Sequence, residues 1–491
     1  MNPSDGNTKT PAGRYQADPA EVIAAFQEGR IPEPEFRRIR AEWGVYQERD
    51  RRHFVRVRRP AGTMTPPDLR ALAAIARGYG SGRVHITTRQ DVQIHGLAVE
   101  ALPAVLTALR SAGLSSRAAC GDTVRNITTC PLAGVCPHER FDVTPWARAV
   151  HADLAETERA TGLPRKLKIA FSGCRRDCAG AAAHDVGFVA EGEPRRPGFC
   201  AFVGGGLGAT SRWADRLEEF IDARATGRVV RAVRNVFAEH GNRTERSKAR
   251  LRFLVESLGF DQFRRLYRRE LAGTAPPPIA VPLRPPAGPP RTPLATFPAV
   301  PRPEFDRWRN RNVKPQKQPG RYVVEVPLFL GQVEADALAG LADIADELAE
   351  AEVRATIRQN LTLRHVREPQ LVRLHARLAE LGLLDPRADL CRNLIVCVGA
   401  PACRLGRCPI RHLARRFADR LAEEGLDLGE HAVHLSGCPN ACSRHPTAAI
   451  GAYGRPKLEG GELRVRYVIR AGGGETPPVT ATEALRRLVE L

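Results

Sequence analysis

The chain has 491 residues, 43% of them hydrophobic, and carries 75 Lys and Arg against 55 Asp and Glu, a formal net charge of +20. That length exceeds one ordinary domain and supplies apolar material for several cores, so a multidomain globular protein is expected. No run of about 18 apolar residues could span a bilayer, and the start, Met1-Asn-Pro-Ser-Asp-Gly, has no apolar signal core, so a cytoplasmic location without membrane attachment is expected. In that reducing compartment the 12 cysteines are poorly explained as a disulfide framework. The excess positive charge points to anions or acidic partners.

Residues 1–45 read as an N-terminal extension. Over 46–115 an alternating strand, Phe54-Val-Arg-Val-Arg, precedes a helix with apolar residues at helical spacing from Leu69 to Ile75 and a second alternating strand, Val84-His-Ile-Thr-Thr. Residues 116–272 form a cysteine-bearing module of mixed helices and short strands. Its Gly204-Gly-Gly-Leu-Gly208 run reads as a turn, lacking both dinucleotide and P-loop patterns. Prolines crowd residues 273–303, which read as a semi-rigid linker. Residues 304–385 repeat the small α+β unit, with a helix from Leu338 to Leu348 and a strand from Val353 to Leu363. Residues 386–491 repeat the cysteine module.

The two halves align along their length. His53-Phe-Val-Arg-Val matches Arg321-Tyr-Val-Val-Glu at an offset of 268, Arg89-Gln-Asp-Val matches Arg358-Gln-Asn-Leu at 269, Arg125-Asn-Ile matches Arg392-Asn-Leu at 267, and Ser172-Gly-Cys174 matches Ser436-Gly-Cys438 at 264. So small a drift indicates duplication and a pseudo-twofold α+β architecture, each half a small unit followed by a larger module.

Eight cysteines fall into two quartets of the same form, C-x5-C followed by C-x3-C: Cys130, Cys136, Cys174 and Cys178, then Cys397, Cys403, Cys438 and Cys442. Structural zinc favours closely spaced C-x2-C knuckles, whereas four thiolates around an iron–sulfur cube suit wider loops from two segments. Gly399, Pro401, Gly437 and Pro439 let backbone pass close to such a cluster. Cys120, Cys200, Cys391 and Cys408 fit neither loop and are expected to be buried small residues.

These residues carry a resemblance to the sirohaem-containing sulfite and nitrite reductases, of the ferredoxin-dependent type. It rests on Thr87-Thr-Arg-Gln-Asp-Val-Gln-Ile-His-Gly96, Val124-Arg-Asn-Ile, Cys130-Pro-Leu-Ala-Gly134, Leu163-Pro-Arg-Lys-Leu-Lys168, Val203-Gly-Gly-Gly-Leu207, Gln359-Asn-Leu361 and both C-terminal cysteine loops, and covers about residues 40 to 455. It implies ferredoxin-like half-domains and a [4Fe-4S] cluster on Cys397, Cys403, Cys438 and Cys442, with Cys442 also bridging to sirohaem iron. Arg89, Arg125, Lys166 and Lys168 become the substrate-side cations, and Gln93, His95 and Asn440 the sirohaem contacts. Gln93 and His95 are placed on one strand face with Arg89 and Asp91. In better-known members the first-half cysteines are usually absent. Cys130, Cys136, Cys174 and Cys178 are therefore a candidate second cluster, with a regulatory thiol set and a relic as alternatives.

What the resemblance implies about activity is six-electron reduction of sulfite to sulfide, with electrons from a small acidic ferredoxin or another external donor. Within the family a lysine at the second position of the Lys166-Leu-Lys168 pair resembles sulfite reductases, where nitrite reductases tend to have asparagine. Assimilatory nitrite reduction is the alternative, and a precorrin oxygenase of cobalamin synthesis a more distant one. A nucleic-acid partner is not expected, because aromatics make up 6% and none are grouped on a basic stretch.

Overall fold

Two turns of nearly the same sequence set the symmetry of the molecule. In Thr87-Thr-Arg-Gln-Asp91 the Thr87 hydroxyl accepts from the amides of Arg89 (3.2 Å) and Asp91 (3.1 Å). In Thr356-Ile-Arg-Gln-Asn360 the Thr356 hydroxyl accepts from Arg358 (3.2 Å) and Asn360 (3.1 Å). Gln90 and Gln359 take left-handed φ values of 60° and 65°. The hydroxyl offers the backbone a local partner that competes with sheet pairing, so the chain turns. The alternating strand that begins at Val84 consequently ends at Ile86, and the stretch from Val353 to Leu363 is two strands, Val353–Ala355 and Leu361–Arg367, rather than one. Arg89 and Asp91 therefore lie in a turn, while Gln93 and His95 stand on the next strand, Val92–Leu97.

The computed structural model describes residues 18–274 and 302–490, apart from positions 156, 351 and 401. Most of the expected proline-rich linker, and position 401 in the cysteine loop, lie outside the described residues. Of the linker's ends, Gly273 closes the helix Phe260–Gly273 and Arg302 opens Arg302–Asn312. Two helices, Pro19–Gln27 and Glu33–Glu42, occupy the end of the N-terminal extension.

Helix Pro66–Tyr79 begins at a capping box: the Thr65 hydroxyl accepts from the Asp68 amide and the Asp68 carboxylate accepts from Thr65. It buries Leu69, Leu72, Ala73, Ile75 and Ala76, one stripe at helical spacing. Its counterpart Ala335–Leu348 buries Leu338, Leu341, Ala342, Ile344 and Ala345, and the two helices pack on each other. Each half-domain sheet receives its fifth strand from the other half. The first runs Val45–Gln47, His53–Val57, Val92–Leu97, Arg83–Ile86 and then Gln332–Glu334; the second runs Val313–Pro315, Arg321–Val326, Leu361–Arg367, Val353–Ala355 and then Thr63–Met64. One hydrophobic core spans both, from Val22 to Leu383. The two half-domains thus form one interlocked body.

Each larger module is a five-stranded mixed sheet with a core of its own. Val124–Thr129, Leu167–Ser172 and Val186–Ala190 run parallel, as do Leu394–Val396, Val433–Ser436 and Ile450–Gly454. The chain is thus α+β and internally duplicated. Among the described residues no helix is long and apolar enough to cross a membrane.

Candidate active site

Both cysteine loops leave the C-terminal ends of adjacent parallel strands. Cys397 follows Leu394–Val396 and Cys438 follows Val433–Ser436 by two residues, so the pairs start side by side. The Gly437 amide donates to Cys397 Sγ at 3.1 Å. A Cβ at position 437 would stand 3.0 Å from the Cys408 carbonyl oxygen and the Gly399 Cα, so only glycine lets the loops approach this closely. Cys397 and Cys403 are partly buried, Cys438 is buried and Cys442 is exposed. Burial pushes the Cys397 thiol up to about 12, and neighbouring Cys442 adds to the rise; Cys403 and Cys438 are raised by burial and then chiefly by their fellow thiols. The quartet is therefore one electrostatic group. Among the described residues no three His, Cys, Asp or Glu side chains gather tightly enough for a single metal ion. Four thiols carried by two loops that meet at the Gly437 amide are the donor set of an iron–sulfur cluster. Cys120, Cys200, Cys391 and Cys408 are buried, as expected of small core residues.

Cations from the first half converge on this loop. The Thr88 hydroxyl donates to the Cys442 carbonyl (2.9 Å), and Cys442 lies within electrostatic reach of Arg56, Lys166 and Lys168. Arg89 Nη1 donates to His184 Nε2 (2.6 Å) and Thr128 Oγ1 (3.4 Å), and Nη2 to the carbonyls of Asn126 and Ile169, leaving Nε buried without a partner. His184 Nδ1 donates to the Gly180 carbonyl at 2.6 Å, which leaves Nε2 free to accept from Arg89. Burial and then Arg89 hold His184 well below the usual histidine range, so it stays neutral. Arg125, on Val124–Thr129, donates to the Ala119 and Gly121 carbonyls and also leaves Nε buried and unpaired. Both arginines are thus committed to backbone acceptors, and what remains to them is charge and a fixed frame.

Lys166 and Lys168 differ. The Lys168 backbone amide donates to Asp185 Oδ2 (2.8 Å), while among the described residues neither Nζ has an ion pair or hydrogen bond and both residues are partly exposed. Burial, then Arg250, pushes Lys166 down to about 7; burial, then Lys166, pushes Lys168 well below the usual lysine range. Of the nominated cations these two have free heads. Two cavities, about 240 Å³ behind Pro439 and His445 and about 740 Å³ over Cys200, are lined by neither lysine.

The opposite face of the first half-domain sheet supplies the floor. Val55, Val57, Val92 and Ile94 face the common core, so Arg56, Gln93 and His95 face the modules; Arg56 and Gln93 are directly paired. The Gln93 side chain makes no hydrogen bond, and the same is true of exposed Asn440. His95 is drawn aside: Nδ1 bonds Glu48 Oε1 at 2.8 Å and the ring lies against Phe54, with Nε2 buried and unpartnered. Asp91 is a buried carboxylate ringed by Arg56, Arg58, Arg89 and Arg125. Arg56, Arg58 and Arg444 escaped sequence reasoning. Alternation within Phe54-Val-Arg-Val-Arg was a usable signal for the first two; nothing local marks Arg444, whose guanidinium packs where a Cβ at left-handed Gly180 would stand.

Among the described residues Arg56, Arg89, Arg125, Arg252, Arg444, Lys166 and Lys168 have no carboxylate in ion-pair contact, with Asp91 the buried carboxylate nearest Arg56, Arg89 and Arg125, and Arg89, Arg125, Arg252 and Arg444 keep buried N–H groups unmet. Uncompensated interior cations are costly, so the region is built to receive a polyanion. A polycarboxylate macrocycle beside a four-thiolate cluster fits these donors.

Comparisons with known proteins identify the family. A family model described as "Nitrite and sulphite reductase 4Fe-4S domain" matches residues 120–274, and one described as "Nitrite/Sulfite reductase ferredoxin-like half domain" matches twice, over 46–112 and 314–381. The chain is 31% identical to the assimilatory ferredoxin-dependent nitrite reductase of Haloferax mediterranei, over 92% of this chain and 80% of that one. It is 30% identical to sulfite reductase [ferredoxin] 2 of Mycolicibacterium paratuberculosis, over 88% of this chain and 78% of the other. The solved structure of the Mycobacterium tuberculosis NirA protein superposes with a TM-score of 0.76 at 25% identity, covering 97% of this chain and 91% of that one. Repeat, cysteine loops, unpaired cations and relatives together place the chain in the sirohaem-containing nitrite and sulfite reductase family, oxidoreductases that carry sirohaem and a [4Fe-4S] cluster.

Proposed function

We propose that this chain reduces sulfite to sulfide, taking six electrons singly from a ferredoxin. The observation that carries the reading is the pair of unengaged ammonium groups, Lys166 and Lys168, beside Cys442. A dianion compensates two neighbouring cations better than a monoanion does. Bound sirohaem coupled to the cluster supplies an iron site for the anion and a relay for single electrons. Cys397, Cys403, Cys438 and Cys442 would hold the cluster. Arg56 and Arg444, with the side-chain amides of Gln93 and Asn440, are suited to the macrocycle's carboxylates and edge.

The lysines supply protons as well as charge. Burial, then Arg250 at Lys166 and Lys166 at Lys168, lowers both amines, so a proton taken up at either Nζ when an anion lies between them passes readily to a departing oxygen. Arg89 and Arg125 stay fixed by their backbone bonds, so their positive field is in place before the substrate arrives. The net charge of +20 suits an acidic donor protein, and ferredoxin is the donor named for the relatives.

Nitrite reduction is the second reading, favoured by the 31% identity to a nitrite reductase. A precorrin oxygenase would leave the two ammonium groups without a task. The test is an anaerobic assay with reduced viologen that measures sulfide and ammonia on one preparation. A higher kcat/KM for sulfite is expected; a higher value for nitrite moves the assignment to the second reading.

A further inference from the structure

We propose that Cys130, Cys136, Cys174 and Cys178 bind a second [4Fe-4S] cluster. The site is assembled as the C-terminal one is. Cys130 follows the strand Val124–Thr129 and Cys174 follows its parallel neighbour Leu167–Ser172 by two residues, which sets the two pairs side by side. The Gly173 amide donates to Cys130 Sγ at 3.1 Å, the same contact at the same length as Gly437 to Cys397.

The C-x3-C loops also share their kinks. Asp177 and Ala441 have φ of 47° and 54°, and Gly180 and Arg444 both have 66°. A left-handed non-glycine residue costs on the order of 1 kcal/mol, yet Asp177 keeps it. Its carboxylate accepts from Ser172 Oγ (2.5 Å) and from the amides of Ala181 (2.7 Å) and Ala182 (3.1 Å), which holds the loop in that form.

The C-x5-C loop is braced from the other half at three consecutive carbonyls. Ala133 accepts from Arg354 (2.8 Å) and Arg364 (2.6 Å), Gly134 from Gln318 (3.0 Å), and Val135 from the Lys317 amide (2.9 Å). The C-terminal loop is held by the equivalent contact, the Arg49 amide to the Ala402 carbonyl at 3.2 Å. A loop freed of its ligand-binding task needs none of this.

The chemistry of the four sulfurs selects the occupant. All are free thiols, and their C-x5-C and C-x3-C spacings are wider than the C-x2-C knuckles of structural zinc. A cube that fills the space between them suits wider loops, and Arg358, in electrostatic reach of Cys178, offsets part of its negative charge. Binding releases the four thiol protons and forms four Fe–S bonds. The site does not depend on whether sulfite or nitrite is the substrate.

The test is the stoichiometry of the whole chain, purified and reconstituted without oxygen, with iron, acid-labile sulfide and sirohaem measured on one sample. Two cubes require eight cluster irons and eight sulfides beside the sirohaem iron. A Cys174→Ser/Cys178→Ser variant is expected to lose about half of the cluster iron and sulfide while keeping the sirohaem Soret band. Four irons and four sulfides in the wild-type chain, alongside full sirohaem, overturn the proposal whether or not the variant folds. So does zinc at this quartet, or alkylation of all four cysteines in the folded holoenzyme. Missing sirohaem with full iron at the first quartet would count against the proposed reductase activity and leave this proposal standing.

Discussion

The molecule has two poles related by its internal duplication, and they differ far more in charge than in thiols. Sheet register pairs Arg56 with Gln93 at one pole and Glu325 with Thr362 at the other; one step on, Arg58 corresponds to Pro327. The module strands are equivalent through the Ile127–Ile169 and Leu394–Val433 pairs, which set Lys168 against Ala432 and Lys166 against exposed Glu430. Arg89 and Arg125 have counterparts in Arg358 and Arg392. Those two are occupied: Arg358 donates to Asn393 Oδ1 (3.1 Å), and Arg392 pairs with Asp389 (2.8 Å) and donates to the Arg311 carbonyl (2.6 Å).

The difference separates two requirements that a single site would blur. Four thiols at the ends of parallel strands suffice for a cluster, and both poles have them. A polycarboxylate and an anionic substrate also need unpaired cations, and at the second pole the described residues matched to Arg56, Lys166 and Lys168 are Glu325, Glu430 and Ala432, none of them a cation. The second pole is thus unsuited to a second macrocycle while remaining suited to a cluster.

Substitutions at matched positions would break or sharpen this comparison. The largest effect is expected for Cys442→Ser, which should abolish reduction of both anions and alter the sirohaem spectrum; a variant with normal turnover would remove the basis for the active pole. Next, Arg89→Ala should lower kcat/KM by about a hundredfold, the usual scale for losing one oriented cationic donor. Arg358→Ala, its counterpart, should stay within about threefold in the same steady-state assay. Comparable losses would mean that both poles are catalytic.

A stability measurement separates the halves in another way. Burial pushes His53 down to about 4, and among the described residues both ring nitrogens are without partners. The sheet register makes Tyr322 its counterpart, not Arg321 as in the sequence alignment, and Tyr322 has no proton to take up in this range. The unfolded chain binds the proton more readily, near pH 6.5. Stability is therefore full above that pH and is lost as pH falls toward 4, by about 2 kcal/mol at pH 5. Urea midpoints from pH 7.5 to 5 should show this slope, and His53→Gln should flatten it. The smallest effect concerns the anion: Lys168→Asn should cost sulfite turnover about tenfold more than nitrite turnover, roughly 1.4 kcal/mol. Equal losses would end the preference for sulfite.

Much of the site was legible along the chain because its signals are local. Two thiol spacings repeat, and strand-ending cysteines keep their spacing whatever surrounds them. Arg89, Arg125, Lys166 and Lys168 were nominated by motif; the fold puts the two lysines within electrostatic reach of Cys442, with Arg125 near Lys166 and Arg89 near Lys168. Less legible was the turn at Arg89. Alternation across Thr87 and Thr88 suggested continued strand, but the Thr87 hydroxyl captures two amides and reverses the chain.

By itself the sequence determined the duplication, the two cysteine quartets and the basic residues offered to the site, since each is a matter of composition and spacing. Only the tertiary structure decided which cations remain unpaired, that the half-domains exchange edge strands, and that Arg56 and Arg444 join the site. The physical reason is that a charge is neutral or active according to its partner. Here the partners, such as Asp185 for Arg250 or the Asn126 carbonyl for Arg89, are chosen by packing between segments that the linear order keeps apart.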